Sequence, residues 1–137
     1  MRRFAVFVLV VGTILAWTNV PSMAQDFKPY AGSKLDEAAS REASAGAPGK
    51  QSEVYTTGDP FDKVYAFYKG LHKEFVMGSS GPKLPSGQPI RWAFFIIDGG
   101  KDLASSKYWI KIQRPYVGGA EGKDVREITI IQTVHNK

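Results

Sequence analysis

Apolar and polar residues alternate along this chain with two different periods, and each change of period marks an element. Phe61, Val64, Tyr65, Tyr68, Leu71 and Phe75 recur at helical spacing, with Asp62, Lys63, Lys69, Lys73 and Glu74 on the other side. The spacing predicts one amphipathic helix over residues 59–78. Asp59 is placed to cap its first turn, Pro60 suits the first helical position, and Gly78 supplies a stop. Elsewhere the period is two or the run is apolar throughout. Residues 52–57 (SEVYTT) form a β-branched run that predicts the first strand, and residues 91–98 (RWAFFIID) are apolar on both parities, as in a strand covered on both faces. In residues 107–114, Tyr108, Ile110 and Ile112 alternate with Lys107, Trp109, Lys111 and Gln113. In residues 125–135, Ile128, Ile130 and Val134 share one parity, and Glu127, Thr129, Ile131 and Thr133 the other.

The order β-α-β-β-β predicts an α+β fold of two layers, with one main helix packed on one face of an antiparallel sheet. Tyr108, Ile110 and Ile112 are expected under the helix. The helix-free face is then expected to carry Lys107, Trp109, Lys111, Gln113 and Ile131, which we take as the candidate binding residues. A soluble monomer seldom leaves such a mixed aromatic, aliphatic and basic surface bare. Its expected cover is the N-terminal arm through Phe27, Tyr30 and Leu35, or else a protein partner, a second copy of the chain, or an anionic envelope polymer. Residues 25–50 are rich in Ala, Ser, Gly and Pro. A short helix over 35–45 fits their propensity, but its apolar side is mostly alanine and buries little area, so a loosely docked arm is expected ahead of a single domain at 51–137.

The first residues add a destination. Arg2 and Arg3 precede an apolar run from Phe4 to Trp17, and Ser22 and Ala24 fit a narrow cleavage site. This pattern predicts a secretory leader over residues 1–24, cut before Gln25, and a periplasmic or secreted product. The run is shorter than the roughly 20 residues that cross a bilayer, so no membrane span is expected after cleavage. Loss of the leader takes two charges from the formal +5 of the 137-residue chain, leaving a mildly basic protein with no block of basic residues that would favour nucleic acid. The chain has no cysteine, which excludes disulfides, thiolate metal sites and thiol nucleophiles.

Candidate chemistry is sparse. His72 falls on the apolar arc of the expected helix with no second histidine or carboxylate at helical spacing on that side, and His135 lies close to the C-terminus. The turns at 98–102 and 121–124 pair carboxylates with glycines but lack the alternating oxygens and closing glutamate of a calcium loop. Ser79, Ser80 and Ser86 follow the helix without a G-x-S-x-G context. No metal or cofactor is expected. The reading is a non-enzymatic binding module of the bacterial envelope, with a small hydrolase using a loop-built site near His72 as the alternative.

Two stretches carry a resemblance. The start Tyr30-Ala-Gly-Ser-Lys and the run Thr57-Gly-Asp-Pro-Phe-Asp-Lys-Val-Tyr-Ala-Phe-Tyr resemble small exported bacterial proteins of uncharacterised function, which have a leader, a Y-P-G-type start and a T-x-D-x-x-x-x-V-x-x-F-Y helix before a run of strands. Ala31 stands where that pattern has proline. The shared residues are helix-cap and core types, so the resemblance implies a common fold and carries over no functional residues.

Overall fold

Strand β5 (Tyr108–Arg114) runs through the middle of a six-stranded sheet, with β8 (Thr129–Asn136) on one side and β4 (Arg91–Ile96) on the other. Beyond β8 lie β2 (Lys50–Thr57) and then β1 (Lys34–Asp36); beyond β4 lies β3 (Lys73–Phe75). Every pairing in this sheet is antiparallel, and the fold is α+β. Helices α1 (Glu37–Ala45) and α2 (Phe61–Lys69) pack against the sheet, and β6 (Tyr116–Gly118) pairs with β7 (Asp124–Arg126) in a separate ribbon. The computed structural model describes residues 27–78 and 81–136. The expected leader at 1–24 lies outside the described residues.

The core between α2 and the sheet follows from the β5 alternation. Tyr108, Ile110 and Ile112 are buried, as are Phe61, Val64 and Tyr68 of α2. Ile110, Ile112, Ala93 and Phe95 meet the α2 residues together with Tyr30 in one cluster. Phe27 stacks on Tyr68 at 6.2 Å, and the Tyr68 hydroxyl donates to the Lys28 carbonyl at 2.9 Å. Phe27 and Tyr30 therefore seal the α2 side of the sheet, whereas they were expected on its reverse.

The helix is shorter than residues 59–78. Gly70 ends it with its N–H bonded to the Ala66 carbonyl at 3.2 Å; Leu71 is exposed, and residues 73–75 form β3, where Phe75 pairs with Phe94. Leu71 and Phe75 fit helical spacing, but Leu71 falls in the turn with its N–H bonded to the Tyr68 carbonyl at 3.0 Å, and sheet pairing gives the Phe75 backbone a better set of partners than another helical turn would. Nor does Asp59 cap the helix. Pro60 occupies that position without a side-chain bond, while the Asp59 carboxylate accepts from the Tyr30 hydroxyl at 2.6 Å and lies 3.6 Å from Lys63 Nζ.

The reverse face is not helix-free. Asp36 caps α1 by accepting from the Ala39 N–H at 2.9 Å, and Ala39 and Ala43 pack on Val54 and Ile130. Two serines one turn apart fasten the helix to β2: Ser40 Oγ accepts from the Val54 N–H at 2.8 Å, and Ser44 Oγ accepts from the Ser52 N–H at 3.0 Å. These bonds satisfy donors that an open strand edge would present to solvent. The segment expected as a loose arm thus supplies an edge strand and a helix. The last strand also differs: residues 124–126 belong to the ribbon, and the sheet strand starts at Thr129.

Asp98 closes the turn after β4. Its carboxylate accepts from Ser106 Oγ at 2.5 Å, the Lys107 N–H at 2.6 Å and the Gly100 N–H at 3.2 Å. Burial works to raise its pKa, but these bonds and one from the Tyr108 backbone outweigh burial, and the pKa is lowered. Asp98→Ala is expected to cost about 1 kcal/mol, discounted for the exposure of the carboxylate. A group whose folded pKa is lowered stabilises above its unfolded pKa and loses that contribution as pH falls through the folded value. Urea titrations should show the gap between native and variant protein at pH 7 closing below the ordinary carboxylate range.

Candidate functional site

On the reverse face a cavity of about 290 Å³ opens between α1 and strands β5 and β8. Its existence follows from the residues that bring the helix down. Ala39, Ala43, Gly46 and Ala47 line the roof, and their side chains are too short to fill the space above the sheet beyond Val54 and Ile130. The floor comes from the β5 alternation, which places Lys111 and Gln113 on this face, and from β8, where Gln132 pairs directly with Lys111 and Ile130 with Gln113. Tyr116 closes one end, with the Arg126 guanidinium 5.1 Å from its ring centre.

Polar groups converge on that floor. Gln113 is buried and its amide nitrogen donates to the Pro115 carbonyl at 3.1 Å. The Gln132 amide nitrogen donates to Ser52 Oγ at 3.4 Å. Lys111 has no ion pair or hydrogen bond among the described residues, and desolvation by burial lowers its pKa. Glu42, which also lines the cavity, accepts from the Gly119 N–H at 2.8 Å and makes no ion pair with Lys111. Lys111 is half-buried, and a cation partly withdrawn from water without a counter-charge attracts anions more strongly than a fully exposed one.

The chain matches no family model, no curated protein and no solved structure.

Of the five residues expected on this face, the cavity gathers Lys111 and Gln113. Trp109 shares their face at the next alternate position of β5; its ring lies 5.9 Å from Phe94, Lys50 Nζ sits 5.8 Å from its centre, and its indole N–H is buried with no acceptor among the described residues. Lys107 precedes β5 and is exposed, with its backbone carbonyl taken by the Asn136 N–H at 2.9 Å. Ile131 is a correction. It pairs with Ile112 under α2 and is fully buried there, while Ile130, Gln132 and Val134 occupy the reverse face. Both parities of that strand carry branched apolar residues, so alternation alone leaves its inward set undefined.

His72 sits half-buried in the turn between α2 and β3, on no helical arc, and is not among the residues lining this cavity. Ser79 and Ser80 lie outside the described residues. Among the described residues no three His, Cys, Asp or Glu side chains are grouped to hold a metal, and no helix is long and apolar enough to cross a membrane. The sequence reading missed Gln132, Glu42 and Tyr116. Ser52 with Val54 and Gln132 with Val134 mix polar and apolar residues on a single parity, the signal for a second partly covered face, and it becomes readable once β2 and β8 are paired.

Proposed function

We propose that this protein is an exported, non-catalytic binding module that takes an anionic group, a carboxylate or phosphate, in the cleft between α1 and the sheet. The observation that carries the reading is Lys111, a half-buried ammonium on the floor of a cavity, with no counter-charge among the described residues and a pKa that burial lowers. An incoming oxyanion supplies that charge, and the amides of Gln113 and Gln132 flank it as hydrogen-bonding groups. The cavity suits one acidic unit of a sugar or polyol, either free or as part of an anionic envelope polymer. The Arg2-Arg3 leader pattern supports a periplasmic or secreted setting for such a ligand.

Isothermal titration with glucuronate and with glycerol 1-phosphate, and with glucose as the neutral control, tests this reading. We expect one of the two anions to bind the native protein and glucose not to bind. Lys111→Met should weaken anion binding at least about tenfold, a loss of about 1.4 kcal/mol. Undiminished binding by the variant, or no binding of either anion, would overturn the assignment.

A further inference from the structure

At the far edge of the sheet, strands β3 and β4 part after the Phe75 and Phe94 pair, and the gap between them opens into a second cavity of about 580 Å³. Its walls include Phe61 and Tyr65 of α2, Phe75 at the end of β3, and Trp92 and Phe94 of β4. Into this aromatic cleft Glu74 brings a half-buried carboxylate. Its two oxygens lie 2.8 and 2.7 Å from the Tyr65 hydroxyl, whose single proton serves one of them at a time. No lysine or arginine among the described residues lies within ion-pair distance of Glu74.

The cation that lines the cleft is already engaged. Arg91 lies 4.4 Å from the Phe61 ring centre with its guanidinium bonded to Asp62 at 2.6 Å, and Lys69, outside the lining, lies 5.4 Å from the Tyr65 ring centre. The chain's own positive groups thus favour aromatic faces beside the cleft, as ring quadrupoles dictate, while Phe75 and Trp92 line it with no cation over their rings among the described residues.

From the cleft's aromatic walls and its carboxylate without a cation, we propose that it binds an organic cation, an alkylammonium whose apolar stem lies on Trp92 and Phe75 and whose charged head meets Glu74. This site is separate from the α1 cleft and takes the opposite charge, so either can fail without the other. A free amine and the lysine side chain of a peptide present the same group, and the probes separate the two sources.

Hexylammonium, its neutral counterpart hexanol, and an acetylated, amidated Ala-Lys-Ala peptide are titrated into the full chain, with the Trp92 indole resonance followed by NMR and affinity by calorimetry. We expect at least one ammonium probe to bind about tenfold more tightly than hexanol and to shift the Trp92 signal. The tighter of hexylammonium and the peptide identifies the source. Glu74→Gln keeps an acceptor for Tyr65 and should lower ammonium affinity to the hexanol level while leaving hexanol binding and the thermal midpoint unchanged. Equal binding of ammonium and alcohol, no binding of either ammonium probe at millimolar concentration, or an unchanged ammonium affinity in the variant would overturn the proposal. Should Glu74→Gln disturb the fold, Trp92→Leu provides the second reading: loss of the preference for ammonium over hexanol supports the site, and its retention overturns it.

Discussion

Phe95→Ala is expected to cost about 3–5 kcal/mol of folding stability, the largest effect of any single truncation considered for this chain. Phe95 is fully buried on β4, its ring centre 5.7 Å from Tyr65 and 6.4 Å from Tyr68. The neighbours that would have to collapse into the space are tethered. The Tyr65 hydroxyl is held by Glu74, and the Tyr68 hydroxyl donates to the Lys28 carbonyl at 2.9 Å. A cavity whose lining cannot close keeps both the lost transfer energy and the lost contacts. Against a typical total of about 5–15 kcal/mol, that is a large share. Urea denaturation should show the midpoint falling with the slope unchanged. Val76→Ala, at a side chain 76% exposed, should stay within about 0.5 kcal/mol of the native protein. A loss below about 1 kcal/mol for Phe95→Ala would mean that α2 does not clamp this part of the sheet.

The contrast between α2 and α1 shows what the sequence makes legible. α2 meets the sheet through Phe61, Val64 and Tyr68, large residues whose spacing is visible as a period. α1 meets it through Ala39 and Ala43, and through the Ser40 and Ser44 hydroxyls that bond the N–H groups of Val54 and Ser52. Hydrophobic periodicity does not register a helix fastened by alanines and serines, because its tertiary contacts are short side chains and hydrogen bonds to a strand some ten residues away. The same limit governs the end of α2. The spacing of Leu71 and Phe75 continues the helical pattern past Gly70, where the helix ends, and only the pairing of Phe75 with Phe94 decides for a strand. In the candidate site, Lys111 and Gln113 were readable because β5 has one apolar parity and one polar parity. Ile131 was misplaced because its strand has branched apolar residues on both, and the choice between them is made by the register with Ile112. The cavity itself was beyond reach, since it is the space left between a strand face and a helix whose docking the pattern did not contain.

Lys111→Met is expected to move stability the other way, raising it by about 1–2 kcal/mol at neutral pH. Methionine keeps most of the lysine stem in contact with the strand face while removing a half-buried charge that has no partner among the described residues. The pH dependence separates this cause from a general packing gain. Burial lowers the Lys111 pKa, so below that lowered value both folded and unfolded chains hold the proton and the folded state carries the full desolvation penalty. Between the lowered value and the ordinary lysine range the unfolded chain binds the extra proton, and native stability rises with pH. The advantage of the variant should therefore be largest at neutral pH and shrink as the pH climbs into the lysine range; an advantage independent of pH would point to packing alone. Added glycerol 1-phosphate, if it is the anion that binds in titration, should raise the thermal midpoint of the native protein and leave the variant unmoved, because a ligand stabilises only a folded state that binds it. The residue that weakens the fold is then the one that gives it a ligand, a trade that persists in proteins when the strained group is the functional one. A variant less stable than the native chain at neutral pH would show instead that the ammonium is well solvated in place, and the anion site would lose its physical basis.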